Sequence, residues 1–249
     1  MKRLKFYWVP IVCSVLAMFG MSEKLFAGQL IVSIAPDWNS TRGVLQCFEG
    51  GPGKWTPVGP VVKVLYGRSG LAWGSGLAGQ EQPGLKKQER DGRAPAGRFA
   101  IGKIYTHDEA LPGNARYPFR TIGPWDAWPD DPTNPFYNKH VVVDGNNPPD
   151  WFEKQKMRHG DFAYRWLVEI RHNSGPILPG AGSAIFFHLR RGENRPSAGC
   201  TVMAQPDLVR LIQWLDASKS PEFVLLPAAE YHRLWKSWGL PAPAMVPGT

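Results

Sequence analysis

Glycine and proline occur so often in this chain that long helices are disfavoured over most of its length. The 249 residues include 27 Gly and 24 Pro, and both residue types interrupt regular structure and favour turns. Between them lie short runs rich in β-branched and aromatic residues, at 29–35, 43–49 and 61–66. These runs have the length and composition of strands. The sequence therefore predicts a mainly β fold, and its length suits one domain with a single sizeable core.

Further strands are predicted downstream of two irregular stretches. Residues 67–98 form a Gly-rich connection, and residues 106–138 form a long loop rich in Pro, Asp and Trp. Loops of that length inside a compact domain are usually lids or binding loops. Strand patterns recur at 99–105, 139–144, 164–172, 184–189 and 222–226.

Two or three short helices complete the prediction. Residues 150–157 suit a short helix, and Pro206 opens an amphipathic one, at a position where its missing N–H costs nothing. The apolar residues of this second helix recur at helical spacing; they are Leu208, Leu211, Ile212 and Leu215. A last helix is predicted over 228–238, with Gly239 as its C-terminal cap.

The first 27 residues have the composition of a secretory signal. Lys2, Arg3 and Lys5 precede an apolar stretch at 6–19, and Ala27 offers a small residue for cleavage. The apolar stretch is too short for a comfortable membrane span. We therefore expect export to the periplasm, with membrane anchoring as the outcome if the signal is not cleaved.

The charge of the chain indicates an anionic environment. The net charge of +8 falls to +5 without residues 1–27, which carry four Lys/Arg and one acid. Such a balance suits an acidic polymer such as a cell wall, or a membrane surface. Nucleic acid is not an expected partner, because the Lys and Arg residues form no stripe.

Two cysteines remain once Cys13 has left with the signal. Cys47 lies in an alternating strand pattern, which favours a buried and inert thiol. Cys200 follows a turn, Ser197-Ala198-Gly199, at the start of another apolar run. In an exported protein these two cysteines are also able to form one disulfide.

His188 and Cys200 together suggest acyl-transfer chemistry. His188 ends the apolar strand pattern at 184–189, and one polar loop separates it from Cys200. A thiol becomes a nucleophile when a neighbouring imidazole takes its proton or holds it as an ion pair. We predict Cys200 as the nucleophile and His188 as its base, with the carbonyl of Leu189 orienting the ring.

Gly199 and the arginines of the loop complete this candidate site. Gly199 lets the backbone approach closely, so we expect the amides of Gly199 and Cys200 to form an oxyanion hole. Arg190, Arg191 and Arg195 favour a thiolate and are suited to holding a carboxylate. A structural interpretation stays open, in which His188 is a packed strand residue and Cys200 a small apolar residue of the core.

Other chemistries have less support. The six histidines and Cys200 show no pair at metal-ligand spacing, so we predict no metal and no cofactor. A serine triad lacks its G-x-S-x-G motif, because Gly74-Ser75-Gly76 does not match it. A papain-like peptidase places its cysteine before its histidine, and here the histidine comes first.

These residues resemble the YkuD-type L,D-transpeptidase family. That family has a strand histidine followed by Ser/Thr-His-Gly-Cys, matched here by His188 and Ser197-Ala198-Gly199-Cys200. Residues 91–99 resemble its Thr-Pro-x-Gly-x-Phe strand entry, and Tyr137-Asn138 with 182–188 resemble one proteobacterial branch. The chain departs from the pattern at Ala198, in the spacing of 12 residues between His188 and Cys200, and at Thr201.

The resemblance, over roughly 29–227, implies a β-sandwich-like catalytic domain that cross-links peptidoglycan stems. It implies a tetrapeptide donor, a Cys thioester, and a diaminopimelate amine as acceptor, giving 3–3 or 1–3 links. Tyr137, Asn138, Arg195 and Ser197 become candidate substrate-binding residues. We divide the chain into a signal peptide (1–27), a catalytic domain (28–227) and a C-terminal helix and tail (228–249), and expect a monomer. An L,D-carboxypeptidase or endopeptidase on the same stems and a non-catalytic wall-binding module remain alternatives.

Overall fold

The computed structural model describes residues 28–77 and 82–249, so the signal-peptide prediction falls outside the described residues. Twelve strands and three α-helices occur within them, joined by loops and single-turn 3₁₀ helices. The strands are β1 (Gly28–Ala35), β2 (Arg42–Gly50), β3 (Thr56–Leu65), β4 (Leu71–Trp73), β5 (Ala94–Thr106), β6 (Phe119–Thr121), β7 (Asp126–Ala127), β8 (Val141–Val142), β9 (Trp166–Ile170), β10 (Phe186–Leu189), β11 (Thr201–Met203) and β12 (Glu222–Pro227). The helices are α1 (Phe152–Gln155), α2 (Gln205–Trp214) and α3 (Ala228–Leu234).

Eight of these strands form a sheet that closes on itself. Their hydrogen-bonded order is β12, β1, β2, β3, β11, β10, β9 and β5, and β5 pairs in turn with β12. Strands β4 and β6 add to β5 beside this ring. The opposing walls of the closed sheet face each other across the main apolar core. The predicted fold class, mainly β and sandwich-like with two or three short helices, is confirmed.

The continuous burial of β1 explains why this strand is mostly apolar, with Gln29 and Ser33 as its two buried polar residues. It lies between β12, to which it is parallel, and β2, to which it is antiparallel. Every residue of β1 after Gly28 is buried. A strand buried on both faces is expected to be continuously apolar rather than alternating, and Leu30, Ile31 and Ile34 belong to the core.

Strand β3 begins earlier than the sequence predicts. Its first half contains Pro57 and Pro60, and proline normally argues against a strand because it lacks the N–H that a ladder needs. This half pairs only with β2, whereas β11 reaches β3 only at Leu65. The prolines are therefore tolerated because they lie on an edge. Beside them a bulge interrupts β2 between Leu45 and Cys47.

Other predicted elements differ in extent. The Gly-rich connection contains β4, which sequence reasoning did not find. The strand predicted at 139–144 is reduced to the two residues of β8. Helix α3 ends at Leu234, four residues before the predicted end, and Gly239 follows in a left-handed conformation (φ 65°).

Two apolar clusters lie on different sides of the sheet. The main cluster includes Phe187 and Leu189 from β10 and also takes in Tyr231, Leu240 and Val246 from the C-terminal segment. The second cluster is smaller and contains Phe186, the preceding residue of β10. Because side chains alternate along a strand, His188 points to the same side as Phe186. Cys200 also packs against this second cluster, so the candidate site lies there.

Candidate active site

Strands β10 and β11 bring His188 and Cys200 to the same face of the sheet. The two strands are parallel, with His188 opposite Val202 and Phe187 opposite Thr201. Cys200 directly precedes β11 and packs against the cluster of Phe186, which points to the same side of β10 as His188. The thiol and the imidazole therefore lie on one side of the sheet, although they make no hydrogen bond with each other and line separate cavities. Their action as a nucleophile and base stays a prediction.

The Cys200 thiol is neutral in this arrangement. Its Sγ lies 3.5 Å from the carbonyl oxygen of Ala184, to which it donates a hydrogen bond. Burial raises the pKa of Cys200 to about 11, although the backbone amide of Phe186 and the Lys87 ammonium act in the opposite direction. The resting thiol must therefore leave Ala184 and lose its proton before it can attack a carbonyl carbon.

The His188 ring is held in one tautomer by the neighbouring carbonyl. Nδ1 lies 2.9 Å from the oxygen of Leu189, the contact expected from the sequence. A carbonyl oxygen only accepts hydrogen bonds, so Nδ1 carries the proton and Nε2 keeps its lone pair. The backbone of Ala163 also contacts the ring. Burial lowers the pKa of His188 to about 4, so the ring is a neutral proton acceptor.

Two cavities meet at Tyr164. One, of about 220 Å³, is lined by Cys200 together with Trp128, Phe186 and Lys156. The other, of about 200 Å³, is lined by His188. Tyr164 lines both, and its ring lies edge-on to that of His188, with centroids 4.9 Å apart. Sequence reasoning missed Tyr164, because nothing local distinguishes it from other strand aromatics.

The Ser-Ala-Gly-Cys turn is fixed by Ser197. The Ser197 hydroxyl lies 2.6 Å from the carbonyl oxygen of Cys200 and 3.2 Å from that of Tyr66. It also accepts a hydrogen bond from the Gly199 amide at 3.0 Å. The Gly199 amide is therefore occupied here, and it serves an oxyanion only if it exchanges this partner. Ser197 as a substrate-binding residue stays a prediction.

Gly199 allows the turn to pack closely against a neighbouring segment. A Cβ at this position would lie 3.0 Å from the backbone oxygen of Arg93, closer than real Cβ atoms normally come. Any larger residue would push the turn, and with it Cys200, away from that segment.

Tyr137 and Asn138 are buried beside the site and make structural contacts. The Asn138 amide accepts hydrogen bonds from the Trp128 indole (3.1 Å) and the Ala184 backbone (3.0 Å). It donates to the carbonyls of His172 (3.1 Å) and Asn173 (2.8 Å). Asn138 thus secures the long loop to Ala184, the residue that holds the Cys200 thiol.

The Tyr137 hydroxyl donates to Glu89 at 2.5 Å. Burial, reinforced by this carboxylate, raises the pKa of Tyr137. Contact of either Tyr137 or Asn138 with a substrate stays a prediction, because their polar groups are engaged within the protein.

The structure shows two free cysteines and two exposed arginines that line the His188 cavity. Cys47 and Cys200 are both free, and burial raises the pKa of Cys47 to about 12. Arg195 is exposed and lines the His188 cavity, as does Arg68, which the sequence did not indicate.

Among residues 28–77 and 82–249, no cluster of three or more His, Cys, Asp or Glu side chains is arranged to hold a metal ion. No helix in this part of the chain is long and apolar enough to cross a membrane.

Comparison with known proteins identifies the domain that contains this site. No match was found among curated proteins or among solved structures. The family model of YkuD, the L,D-transpeptidase catalytic domain, matches residues 47–225. This match covers well over half of the chain and includes both His188 and Cys200. The chain belongs to the YkuD family of L,D-transpeptidase catalytic domains.

Proposed function

We propose that this protein is an exported cysteine L,D-transpeptidase that joins peptidoglycan stem peptides through a thioester on Cys200. Family membership supports an acyltransferase that acts on such stems. The observation that carries the assignment of residues is the position of His188 and Cys200 on one side of the sheet, on β10 and at the start of the adjacent β11.

In the first half-reaction, His188 Nε2 takes the Cys200 proton as Sγ attacks a carbonyl carbon of the donor stem at an L-centre. An S–C bond forms, the scissile C–N bond breaks, and His188 gives its proton to the departing amine. In the second, the acceptor amine attacks the thioester and loses a proton to His188. A C–N bond forms, the C–S bond breaks, and the proton returns to Sγ.

The neutral resting pair suits this sequence of steps. A thiol with a raised pKa and an imidazole with a lowered one do not form a stable ion pair. The proton therefore moves during attack, rather than before the substrate arrives. The Cys200 amide is the proposed oxyanion donor, joined by Gly199 if its amide leaves Ser197.

The central test compares Cys200→Ala with Cys47→Ala. The proteins are incubated with a disaccharide-tetrapeptide, and intact-protein mass spectrometry detects the acyl adduct while muropeptide analysis identifies the cross-link. We expect an adduct and new 3–3 or 1–3 links for wild type and Cys47→Ala, and neither for Cys200→Ala.

Other outcomes distinguish the alternatives. Product formation by Cys200→Ala would refute the nucleophile. Release of the terminal residue without cross-links would identify a carboxypeptidase. Wall binding without any adduct in the wild type would indicate a non-catalytic module.

Export to the periplasm is part of the same proposal. It rests on the sequence of residues 1–27 and on the location of the substrate polymer. Cell fractionation followed by N-terminal sequencing of the mature protein tests it. A periplasmic chain beginning at Gly28 is expected. A chain that keeps Met1 in the membrane fraction would show an uncleaved anchor, and a cytoplasmic one would contradict the proposal.

A further inference from the structure

Three guanidinium groups surround the cavity that contains His188. Arg68, Arg191 and Arg195 line it together with Tyr164 and the Ser197-Ala198 turn. Its volume of about 200 Å³ is below the ~300–1,000 Å³ of pockets that enclose drug-sized ligands. It therefore suits the end of a chain, such as one amino-acid unit, rather than a whole stem peptide.

Arg191 is already neutralised within the protein. It pairs with Asp161 at 2.5 Å and lies over the Tyr164 ring, 5.3 Å from its centroid. This pairing holds Arg191 against the wall of the cavity. It also satisfies Asp161, which is therefore not available to the other two arginines.

Arg68 and Arg195 differ from Arg191 in exposure and in ion pairing. Both are exposed, and neither makes an ion pair with any residue in the described ranges. Their backbones are nevertheless fixed, because the Arg68 amide donates to Ser197 at 2.9 Å and the Arg195 amide to Gly192 at 3.4 Å. Two arginines that have fixed backbones and make no ion pair in the described ranges thus line the cavity of the proposed base.

We infer that Arg68 and Arg195 bind a carboxylate adjacent to the amine of the acceptor. This inference rests on the proposed function. The acceptor amine must give its proton to His188, so it enters on the His188 side of Tyr164. Guanidinium groups recognise carboxylates through paired, charge-assisted hydrogen bonds. A carboxylate held by Arg68 and Arg195 would place the neighbouring amine beside Nε2.

The experiment uses a matched pair of acceptors, D-alanine and D-alaninamide, which differ in the carboxylate. Each enzyme is acylated with the tetrapeptide donor, and acceptor kcat/KM is measured per acyl-enzyme. The variants are Arg68→Gln, Arg195→Gln, the double variant, and Arg116→Gln as an exposed control outside the cavity. The two amines differ in basicity, so the readout is the change in the D-alanine to D-alaninamide ratio relative to wild type.

We expect the ratio to fall about tenfold in the double variant, the loss expected for a charge-assisted hydrogen bond. Each single variant should give a smaller decrease, Arg195→Lys should retain part of the preference, and Arg116→Gln should match wild type. If the double variant forms the acyl-enzyme and keeps the wild-type ratio of D-alanine to D-alaninamide, this inference is wrong and the proposed function stands. Absence of any wild-type acyl-enzyme would overturn both.

Discussion

His172 and His188 are buried to nearly the same degree but are used differently by the fold. Their exposed fractions are 3% and 6%, and burial lowers the pKa of each to about 4. Each ring also meets an aromatic ring edge-on: Phe99 at 5.9 Å for His172, and Tyr164 at 4.9 Å for His188. Neither burial nor pKa therefore separates His172 from His188, the proposed base.

The hydrogen bonds of the two rings do separate them. His172 accepts from the Ser75 amide through Nδ1 (3.2 Å) and donates to the Ala181 carbonyl through Nε2 (2.9 Å). His188 donates from Nδ1 to Leu189 and keeps the lone pair of Nε2. One ring has used both nitrogens to join segments of the chain, whereas the other retains a proton acceptor at a cavity. This difference favours His188, rather than His172, as the proposed base.

The largest effect is expected for His188→Ala. Loss of a general base typically lowers a rate by 10²–10⁴-fold, so acyl-enzyme formation should fall at least 100-fold. The melting temperature should fall less than in His172→Ala, because the structure gives the His172 ring two hydrogen bonds of 3.2 Å or less and the His188 ring one. Stopped-flow acylation and thermal unfolding measure the two quantities. An acylation rate within threefold of wild type would show that His188 is not the base. The proposed difference between His188 and His172 would then be wrong.

The opposite pattern is expected for His172→Ala. This substitution leaves the Ser75 amide and the Ala181 carbonyl without partners, and a buried unsatisfied group costs about 1–3 kcal/mol. The free energy of unfolding should fall by about 3 kcal/mol, while acylation per folded molecule stays close to wild type. Urea unfolding and active-site titration of the same sample measure both. A stable His172→Ala protein with strongly reduced acylation would reverse the roles of the two histidines.

Sequence reasoning succeeded where the relevant signal was local. The placement of His188 and Cys200 on one side of the sheet and the contact of His188 with Leu189 depend on two strands joined by one loop. The contacts that shape the site are remote in sequence, such as Ser197 with Tyr66, 131 residues apart. Arg68 enters the His188 cavity through this same pairing of distant segments. No local pattern encodes it, and the Gly-rich composition around β4 concealed the strand nearby.

The two histidines should also respond to acid in the same way. Each has a folded pKa of about 4, below the unfolded value near 6.5, so the unfolded state binds more protons between these pH values. Stability is therefore lost as pH falls from 6.5 toward 4, by about 2 kcal/mol per histidine at pH 5.

The test of this linkage is the stability difference between wild type and His172→Ala. Because the variant no longer carries the penalty of the His172 proton, the difference should narrow by about 2 kcal/mol between pH 7 and pH 5. Urea unfolding at both pH values provides the measurement, and His188→Ala should show the same narrowing. A difference that is constant with pH would mean that the histidine is not buried in its neutral form.

The aromatic partners of the two histidines allow the smallest effect to be tested. An edge-to-face ring contact contributes about 0.5–1.5 kcal/mol, so Tyr164→Leu should loosen the His188 ring and lower acylation roughly threefold to tenfold. Phe99→Leu should instead cost stability, because the His172 ring is fixed by two hydrogen bonds and takes no part in proton transfer.

A role of Tyr164 in orienting the base has a signature that a merely structural role lacks. The acidic limb of the acylation pH profile reports the His188 pKa, which should rise in Tyr164→Leu as water reaches the ring, because burial is what lowers it. Tyr164→Phe keeps the ring and should retain the wild-type limb, which separates the ring contact from the hydroxyl. If Tyr164→Leu changes only the KM for the donor and the acidic limb of the pH profile does not shift, Tyr164 only lines the two cavities and does not position His188.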